Sequence, residues 1–260
     1  MPSYKAKAIT LRTYKLGESD KIVRMYSLDG RVISAVAKGA RKVRSRFGGR
    51  LELFNLLELE LTKGRNLDII NQVEILKSFK GIAKDFYKFI FCEIIGNIVL
   101  KTHFSGESYS PLLFKLIYVC FNEINNAEPE DILSLKKILC FFEIKFLKIT
   151  GYTPLLENCS RCNKNLGNLY SFNRKKIYFS IKYGGVLCSK CGNSLTVKEI
   201  LGASEYRFLY DLFNLKIEDF RDMEVSSHSL KKVHKLLEDY IIYHTDCNID
   251  SFKYLKKIGI

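Results

Sequence analysis

The chain has 260 residues, of which 47% are hydrophobic, and a formal net charge of +14. This composition supports a folded core and excludes a disordered chain. No segment reaches the run of about 18–20 apolar residues that a membrane span needs, and Met1 to Thr10 lacks the pattern of a secretory signal. We therefore expect a cytoplasmic protein without a membrane partner, whose cysteines stay reduced or bind metal.

The positive charge is concentrated in two segments. Residues 1–80 carry a net charge of +9 and residues 155–197 carry +6, whereas residues 81–154 and 198–260 carry 0 and −1. A strongly basic surface is typical of proteins that bind a polyanion, such as nucleic acid or an anionic membrane. The uneven distribution predicts modules with different roles.

The first 80 residues have the pattern of β-strands. Short runs rich in Val, Ile and Leu are separated by turn signals, such as Asp29-Gly30. These runs span residues 4–13, 22–28, 31–37, 51–61 and 67–76. Five strands with no long helix between them predict a small barrel of the OB type over residues 1–80, with an SH3-like barrel as the main alternative.

Apolar residues recur at helical spacing from residue 82 onwards. Pro129 with Asp131 is typical of a helix start, and Gly151 with Pro154 of a helix end. The pattern predicts an α-helical domain formed by residues 81–154 and 198–260, interrupted by an insert at residues 155–197. The predicted fold class is therefore α+β, with an N-terminal OB-type β-barrel, an α-helical domain and an inserted four-cysteine zinc module.

The insert contains two C-x2-C pairs separated by 25 residues. Each pair can direct two thiolates at one ion, and two pairs complete a tetrahedral site of four sulfurs. Thiolate ligands favour zinc or iron, of which zinc is the better fit. Four protein ligands leave no position for a substrate, so we predict one structural Zn²⁺ ion that stabilises the fold of this small polar insert. The predicted ligands are Cys159, Cys162, Cys188 and Cys191.

The remaining cysteines and the histidines carry weaker signals. Single cysteines on apolar helix faces are usually small hydrophobic side chains, which is our interpretation of Cys92, Cys120 and Cys140. Cys247 lies near a helix end and outside both pairs, and we assign it no role. Three of the four histidines lie in or near one predicted helix, and we interpret them as surface or interface residues: His228, His234 and His244.

A basic loop spans residues 38–50, between the third and fourth predicted strands, and contains no acidic residue. Basic side chains neutralise phosphates without reading sequence, and Phe47 is a candidate to stack on a base. We predict a DNA-binding site here; the alternatives are a solvated loop, an anionic membrane or an acidic protein. Its basic residues are Lys38, Arg41, Lys42, Arg44, Arg46 and Arg50, and candidate secondary contacts are Arg65, Arg174, Lys175 and Lys176.

Several enzyme motifs are absent. The chain has no G-x-x-x-x-G-K-[ST], no G-x-S-x-G and no H-E-x-x-H. We therefore predict a binding protein without catalytic residues. The alternative is a nuclease that uses the zinc module as a substrate clamp, and incubation with labelled DNA and magnesium would separate the two hypotheses.

The order of these features resembles the RecO family of bacterial recombination mediators. The most specific segment is Thr13 to Phe79, and it contains the matching stretches 19–23, 30–32, 37–41, 45–48 and 63–67. Gly151 to Pro154, running into the first cysteine pair, is a second match, and Tyr240 with Tyr243-His244 is a third. Some members of the family lack the four cysteines, whereas this chain has all of them.

The resemblance implies a non-enzymatic mediator of DNA repair in the bacterial cytoplasm, associated with the nucleoid. Such proteins bind single- and double-stranded DNA and anneal complementary strands. With the partner RecR they help to load RecA onto DNA coated by single-strand-binding protein, whose acidic C-terminal tail they also bind. We expect the neutral helical domain to hold this tail, in a groove of aromatic side chains beside Lys84, Lys88 or Lys115.

Overall fold

The computed structural model describes residues 2–102, 111–167, 176–220 and 223–257. By its internal contacts the chain forms two compact units, residues 1–130 with 249–260 and residues 131–248. The three-module division, which rests on charge and sequence pattern, stays a prediction. None of the helices in the described ranges combines the length and the apolar character that crossing a membrane requires.

Five strands form the N-terminal part of the first unit. They are β1 (Ser3–Leu16), β2 (Asp20–Ser27), β3 (Val32–Ala37), β4 (Leu56–Thr62) and β5 (Asp68–Lys77). The strands close into a barrel in the order β1-β2-β3-β5-β4. Every neighbouring pair is antiparallel except β3 with β5, where Ala35 lies opposite Asp68 in a parallel pairing.

The barrel interior is filled by alternate residues of the strands. In β4, the side chains of Leu57, Leu59 and Leu61 are buried in the core, and the intervening residues face outward. The predicted fourth strand, residues 51–61, is wrong in its first part, because Gly48–Leu51 forms a 3-10 turn and β4 begins five residues later. Leu51 lies in this turn and its side chain is buried in the barrel core. A hydrophobic residue at this position therefore did not indicate a strand.

Nine helices occur in the described residues. They are α1 (Lys80–Lys84), α2 (Phe86–Thr102), α3 (Pro111–Asn126), α4 (Ile132–Ile149), α5 (Ser189–Asn193), α6 (Ala203–Asn214), α7 (Ile217–Phe220), α8 (Ser227–Thr245) and α9 (Phe252–Lys257). The predicted start of α4 is confirmed, because the Asp131 side chain accepts a hydrogen bond from the Ser134 backbone N–H at 3.1 Å.

Aromatic contacts join α2 and α3 to the barrel in the first unit. The ring centroid of Phe54, which follows the 3-10 turn, lies 5.3 Å from that of Phe89 and 5.2 Å from that of Phe121. Both pairs have edge-to-face geometry, which is favourable for aromatic rings. Arg12 adds a polar contact, because its guanidinium donates to the Asn97 side chain at 2.6 Å.

The second unit contains the four cysteines and the helices α4, α6 and α8. Its sheet has the strands β6 (Ile177–Ser180), β7 (Gly185–Leu187) and β8 (Glu199–Leu201) in the order β7-β6-β8. The C-terminal half of α8 packs on this sheet, since the Tyr240 ring lies 6.0 Å from Phe179 and His244 Nε2 lies 2.8 Å from the Ile181 carbonyl oxygen. The sheet therefore has a helical support within its own unit.

Candidate functional site

The structure brings the four predicted cysteines together. All four sulfur atoms lie within 4.8 Å of one another, and the sulfurs of Cys162 and Cys188 are 3.8 Å apart. A tetrahedral zinc ion with Zn–S distances of about 2.3 Å places its sulfurs about 3.8 Å apart, whereas a disulfide bond measures about 2.05 Å. The cluster therefore has the spacing of a metal centre and not of a disulfide.

The first cysteine pair lies in a tight turn. The backbone N–H of Cys159 donates to Lys164 and that of Asn163 donates to the carbonyl of Cys159, both at 2.8 Å. Asn163 adopts a left-handed φ of 56°, a conformation that asparagine tolerates better than most residues. The Ser160 backbone N–H donates to Val186 of β7 at 2.8 Å, and this bond fixes the turn on the sheet.

The second pair lies at the start of α5. Cys188 is the N-cap residue, and its sulfur accepts a hydrogen bond from the Cys191 backbone N–H at 3.4 Å. Gly192 follows, and a Cβ atom at this position would lie 2.2 Å from the ring of Tyr178. The glycine is therefore needed for the close packing of α5 on β6.

The thiols influence one another strongly. Burial alone would raise the pKa of Cys159, but hydrogen bonds from backbone N–H groups lower it to about 6. Hydrogen bonds to neighbouring sulfurs, that to Cys188 first, raise the pKa of Cys191 to about 12. Four crowded thiols do not all ionise unless a cation compensates their charge, which a soft divalent ion does. The donor set therefore fits such an ion, with Arg161 and Lys190 exposed beside it.

The basic loop lies at one end of the barrel, and all six of its cationic side chains are exposed or partly exposed. Within the described part of the chain, the side chains of Lys38, Lys42 and Arg44 form neither a hydrogen bond nor a salt bridge. Their charges face solvent without a compensating acid in the loop. The loop thus offers a surface with the charge that phosphate binding requires.

The base of the loop is held in place by Asp20, a residue that sequence reasoning did not select. Its carboxylate accepts a hydrogen bond from the Gly39 backbone N–H at 2.8 Å and another from the Ser19 hydroxyl at 2.9 Å. These two bonds lower the pKa of Asp20. Arg41 adds a second anchor, because its guanidinium donates to the carbonyls of the 17–18 turn at 3.0 Å. Asp20 belongs to the stretch 19–23 that resembles the RecO family, but its sequence position does not indicate an anchor for the loop, because two strands separate it from the loop.

Phe47 is placed differently from our prediction. Its side chain is 1% exposed and belongs to the hydrophobic core of the barrel. The guanidinium carbon of Arg46 lies 4.9 Å from the centre of the Phe47 ring. The prediction that Phe47 stacks on a base is therefore corrected: the ring is packed in the barrel core and is not available to a base.

Arg65, one of the candidate secondary contacts, does not join the loop. Arg65 is exposed in the turn between β4 and β5. The parallel pairing sets Asp68 opposite Ala35, so this turn lies at the end of the barrel away from Lys38. Lys176 is exposed in the second unit. Arg174 and Lys175 lie outside the described residues.

Acidic and basic side chains pair on one face of the barrel. Glu58 and Glu60 face outward from β4, and Glu74 of β5 lies opposite Glu58. On the other side they lie opposite two lysines of β1, and the Lys7 ammonium is 3.9 Å from the Glu58 carboxylate. The positive charge of β1 is therefore largely compensated, and the excess remains at the loop.

One of the three positions proposed for the groove of the helical domain is excluded. Lys88 is 4% exposed, and its ammonium donates to the carbonyls of Asn125, at 3.2 Å, and Ala127. Lys88 is therefore not available to a ligand. Lys84 and Lys115 are exposed, and a groove beside either of them stays a prediction.

A different groove, of about 610 Å³, lies in the second unit. It is formed by the β6–β7 turn, residues 195–199 and α8. Val197 is 86% exposed and Tyr243 is also exposed, so the lining offers apolar surface. Lys182 is exposed at its edge, and Glu199 and Asp239 also line it. Sequence reasoning missed this groove because three separate segments form it.

Comparison with known families and proteins places the chain among its relatives. The family profile described as "Recombination protein O N terminal" matches residues 1–79, and that described as "Recombination protein O C terminal" matches residues 83–251. A protein of Nocardioides sp. named DNA repair protein RecO is 30% identical over 264 residues, which cover 98% of this chain and 99% of that protein. The protein of the same name from Bifidobacterium adolescentis is 28% identical over 256 residues, covering 98% and 100%.

These matches first define a class, the DNA repair proteins. The chain belongs to the RecO family within that class, because the two profiles together cover nearly all of it. The family is one of mediators and not of catalytic enzymes, so the nuclease hypothesis is set aside. The resemblance inferred from the sequence is confirmed.

The buried position of Phe47 leads to a prediction. Phe47→Ala should lower the free energy of unfolding by about 3–5 kcal/mol, because it leaves a cavity in the barrel core. Phe47→Leu should lower it less and should leave the affinity for single-stranded DNA unchanged. Chemical denaturation and fluorescence anisotropy measure the two quantities. A stable Phe47→Leu variant with weakened DNA binding would show that the ring stacks on a base after all.

Proposed function

We propose that this chain is a DNA-binding mediator that holds single- and double-stranded DNA at one end of an OB-type barrel and anneals complementary strands. The observation that carries the proposal is the basic loop, residues 38–50, whose cations have no acidic neighbour within the loop and whose base is anchored by Asp20. Annealing requires two strands close together while their repulsion is screened, and a fixed basic surface provides this without nucleotide hydrolysis.

The distribution of charge assigns different tasks to the predicted modules. Residues 1–80 bind DNA on the loop side, since on the face with Glu58 and Glu60 the lysines of β1 are already compensated. The nearly neutral helical segments gain little from counterion release and serve protein partners instead. Following the family resemblance, we propose that these partners are RecR, with which the chain assists RecA loading, and single-strand-binding protein.

We predict DNA binding that depends steeply on salt and weakly on sequence. Arg44→Ala/Arg46→Ala should weaken binding and reduce the slope of log affinity against log salt by about 0.7–0.9 for each phosphate that the variant no longer neutralises. The measurement is fluorescence anisotropy with a labelled oligonucleotide at several salt concentrations. The annealing rate of complementary strands should fall in parallel.

The matched control is Lys115→Ala/Lys231→Ala, which removes the same charge from exposed positions on α3 and α8. This variant should retain both the affinity and the salt slope. Equal losses in the two variants would mean that only the net charge of the chain matters. An unchanged Arg44→Ala/Arg46→Ala variant would move the DNA site away from the loop.

We propose that the four-cysteine cluster holds one Zn²⁺ ion with a structural role. The sulfur spacing and the donor set support it, and all four positions of a tetrahedral ion are taken by protein sulfur. When bound, the ion supplies charge compensation for the thiolates. The chain itself then holds the two turns on β6 and β7 through Ser160 and Tyr178.

Cys159→Ser/Cys191→Ser should lower the zinc content by one equivalent per chain and lower the melting temperature, because the turns lose their common ligand. Elemental analysis and calorimetry measure these effects. Cys247→Ala, which lies outside the cluster, is the control and should keep the metal. A chain that keeps its melting temperature after complete zinc removal would contradict the structural role.

We propose that the groove beside α8 holds the acidic C-terminal tail of single-strand-binding protein. Its apolar lining at Val197 and Tyr243 suits the apolar end of such a tail, and Lys182 suits its acidic residues. The groove replaces a pocket beside Lys88, which is not available to a ligand. A tail seated here leaves the basic loop of the barrel to DNA.

Lys182→Glu/Val197→Glu should abolish binding of a labelled peptide with the tail sequence, because it places two negative charges in the groove. Lys164→Glu, at an exposed position outside the groove lining, is the control and should bind normally. Anisotropy titration with each variant is the measurement. If Arg44→Ala/Arg46→Ala loses the peptide instead, the tail is competing with DNA for the loop and this division of labour is wrong.

A further inference from the structure

Three different ligand groups meet between α4 and α8 in the second unit. The Cys140 sulfur, a Glu143 carboxylate oxygen and a His234 ring nitrogen all lie within 4.8 Å of one another. Cys140 and Glu143 are 0% exposed and His234 is 8% exposed. None of the three takes part in the four-cysteine cluster or lines the groove. The sequence pattern suggested an apolar cysteine and a surface or interface histidine, and the burial of His234 excludes the surface position.

The carboxylate of Glu143 is incompletely satisfied. One of its oxygens, Oε2, lies 3.2 Å from His234 Nδ1. The other, Oε1, is buried and has no hydrogen-bond partner among the described residues. A buried carboxylate with an unpaired oxygen is costly, and in native proteins such an atom marks a missing partner. A water molecule would leave the negative charge in a dry site, whereas a cation would compensate it.

The geometry suits a cation of the zinc class. Zinc binds histidine nitrogen and carboxylate oxygen at about 2.0–2.2 Å, so two such ligands on a tetrahedral ion lie about 3.3 Å apart. The observed separation between His234 and Glu143 is 3.2 Å. Cys140 and Glu143 are three residues apart on α4 and therefore lie on one face of the helix. Sulfur, nitrogen and oxygen are all ligands that zinc accepts.

The charged side chains around these three residues also favour a bound cation. Glu238, one turn after His234 on α8, is close enough to Glu143 for repulsion between the carboxylates. Glu238 is itself 6% exposed, and the Lys235 ammonium lies 3.8 Å from its carboxylate. Lys136, a half-buried lysine on α4, is the cation that acts on Cys140. Two carboxylates buried near each other favour a bound cation between the helices.

We propose that Cys140, Glu143 and His234 form a second metal site, which binds a divalent cation of the zinc class and joins α4 to α8. In the sequence these two helices precede and follow the four-cysteine segment. The ion cross-links them from inside their unit, where the apolar packing is interrupted by polar groups. The proposal depends neither on DNA binding nor on zinc in the four-cysteine cluster.

The test measures zinc per chain in the full-length protein purified from zinc-supplemented medium. Cys140→Ala/His234→Ala should contain one equivalent less than the wild type. Cys92→Ala, which removes another buried helical cysteine, is the matched control and should contain as much zinc as the wild type. The four-cysteine cluster contributes the same amount of zinc to all three proteins. A difference in zinc content between them therefore reports the second site alone. Equal zinc in the wild type and the folded double variant overturns the proposal.

Two further measurements keep the proposal testable if the double variant does not fold. Glu143→Gln preserves the shape of the side chain and should also lose one equivalent; an unchanged zinc content in this variant overturns the proposal. For the wild type alone, X-ray absorption at the zinc edge should show nitrogen or oxygen ligands in addition to sulfur. A spectrum with sulfur ligands only would leave the second site without zinc and overturn it.

Discussion

The burial of Phe47 inside the barrel is the contact on which the position of the basic loop depends. The loop from 38 to 50 carries six cations, and like charges at this density would drive a free loop to spread into solvent. Phe47 and Leu51 insert into the barrel core, and Asp20 holds the start of the loop. The loss of loop entropy is offset by burial of these two apolar side chains. The cations are therefore presented from a fixed backbone.

Acidic residues on another face of the barrel determine where its positive charge remains uncompensated. Glu58 and Glu60 lie on the outer face of β4 opposite Lys7 and Lys5 of β1, and they compensate the charge of these lysines. A barrel that was basic on all sides would attract a polyanion in many orientations. With this face compensated, the excess positive charge of the barrel is concentrated at the loop.

Local patterns in the sequence were enough to predict the parts of the fold that depend on local chemistry. The alternation in β4, the capping residue Asp131 and the two cysteine pairs each act within a few residues, and the structure has them as expected. A hydrophobic residue can lie in a strand or in a turn that places its side chain in the core. Leu51 is of the second kind, so the strand predicted over 51–61 was too long. The same ambiguity made Phe47, beside Arg46, indistinguishable from an exposed aromatic residue.

Features formed by distant segments were not predictable in this way. The anchor at Asp20 and the groove beside Tyr243 exist only because strands or helices far apart in sequence come together. The RecO resemblance supplied the expectation of a tail-binding site, but it did not say which lysines form it. Lys88 shows why: its position on a helix suggests a surface cation, yet its ammonium satisfies helix-terminal carbonyls near Asn125. The charge pattern of a sequence does not show whether a lysine faces solvent or caps a neighbouring helix.

The long helix α8 links the remaining features of the second unit. His234 lies on the part of it that faces α4, whereas Tyr240 and His244 contact the sheet that carries the cysteines. Tyr243, between them, lines the groove. Nine residues of helix, about 14 Å, separate His234 from Tyr243, and a helix transmits displacement as a rigid rod over such a length. Whatever fixes α8 against α4 therefore also fixes the wall of the groove that Tyr243 lines.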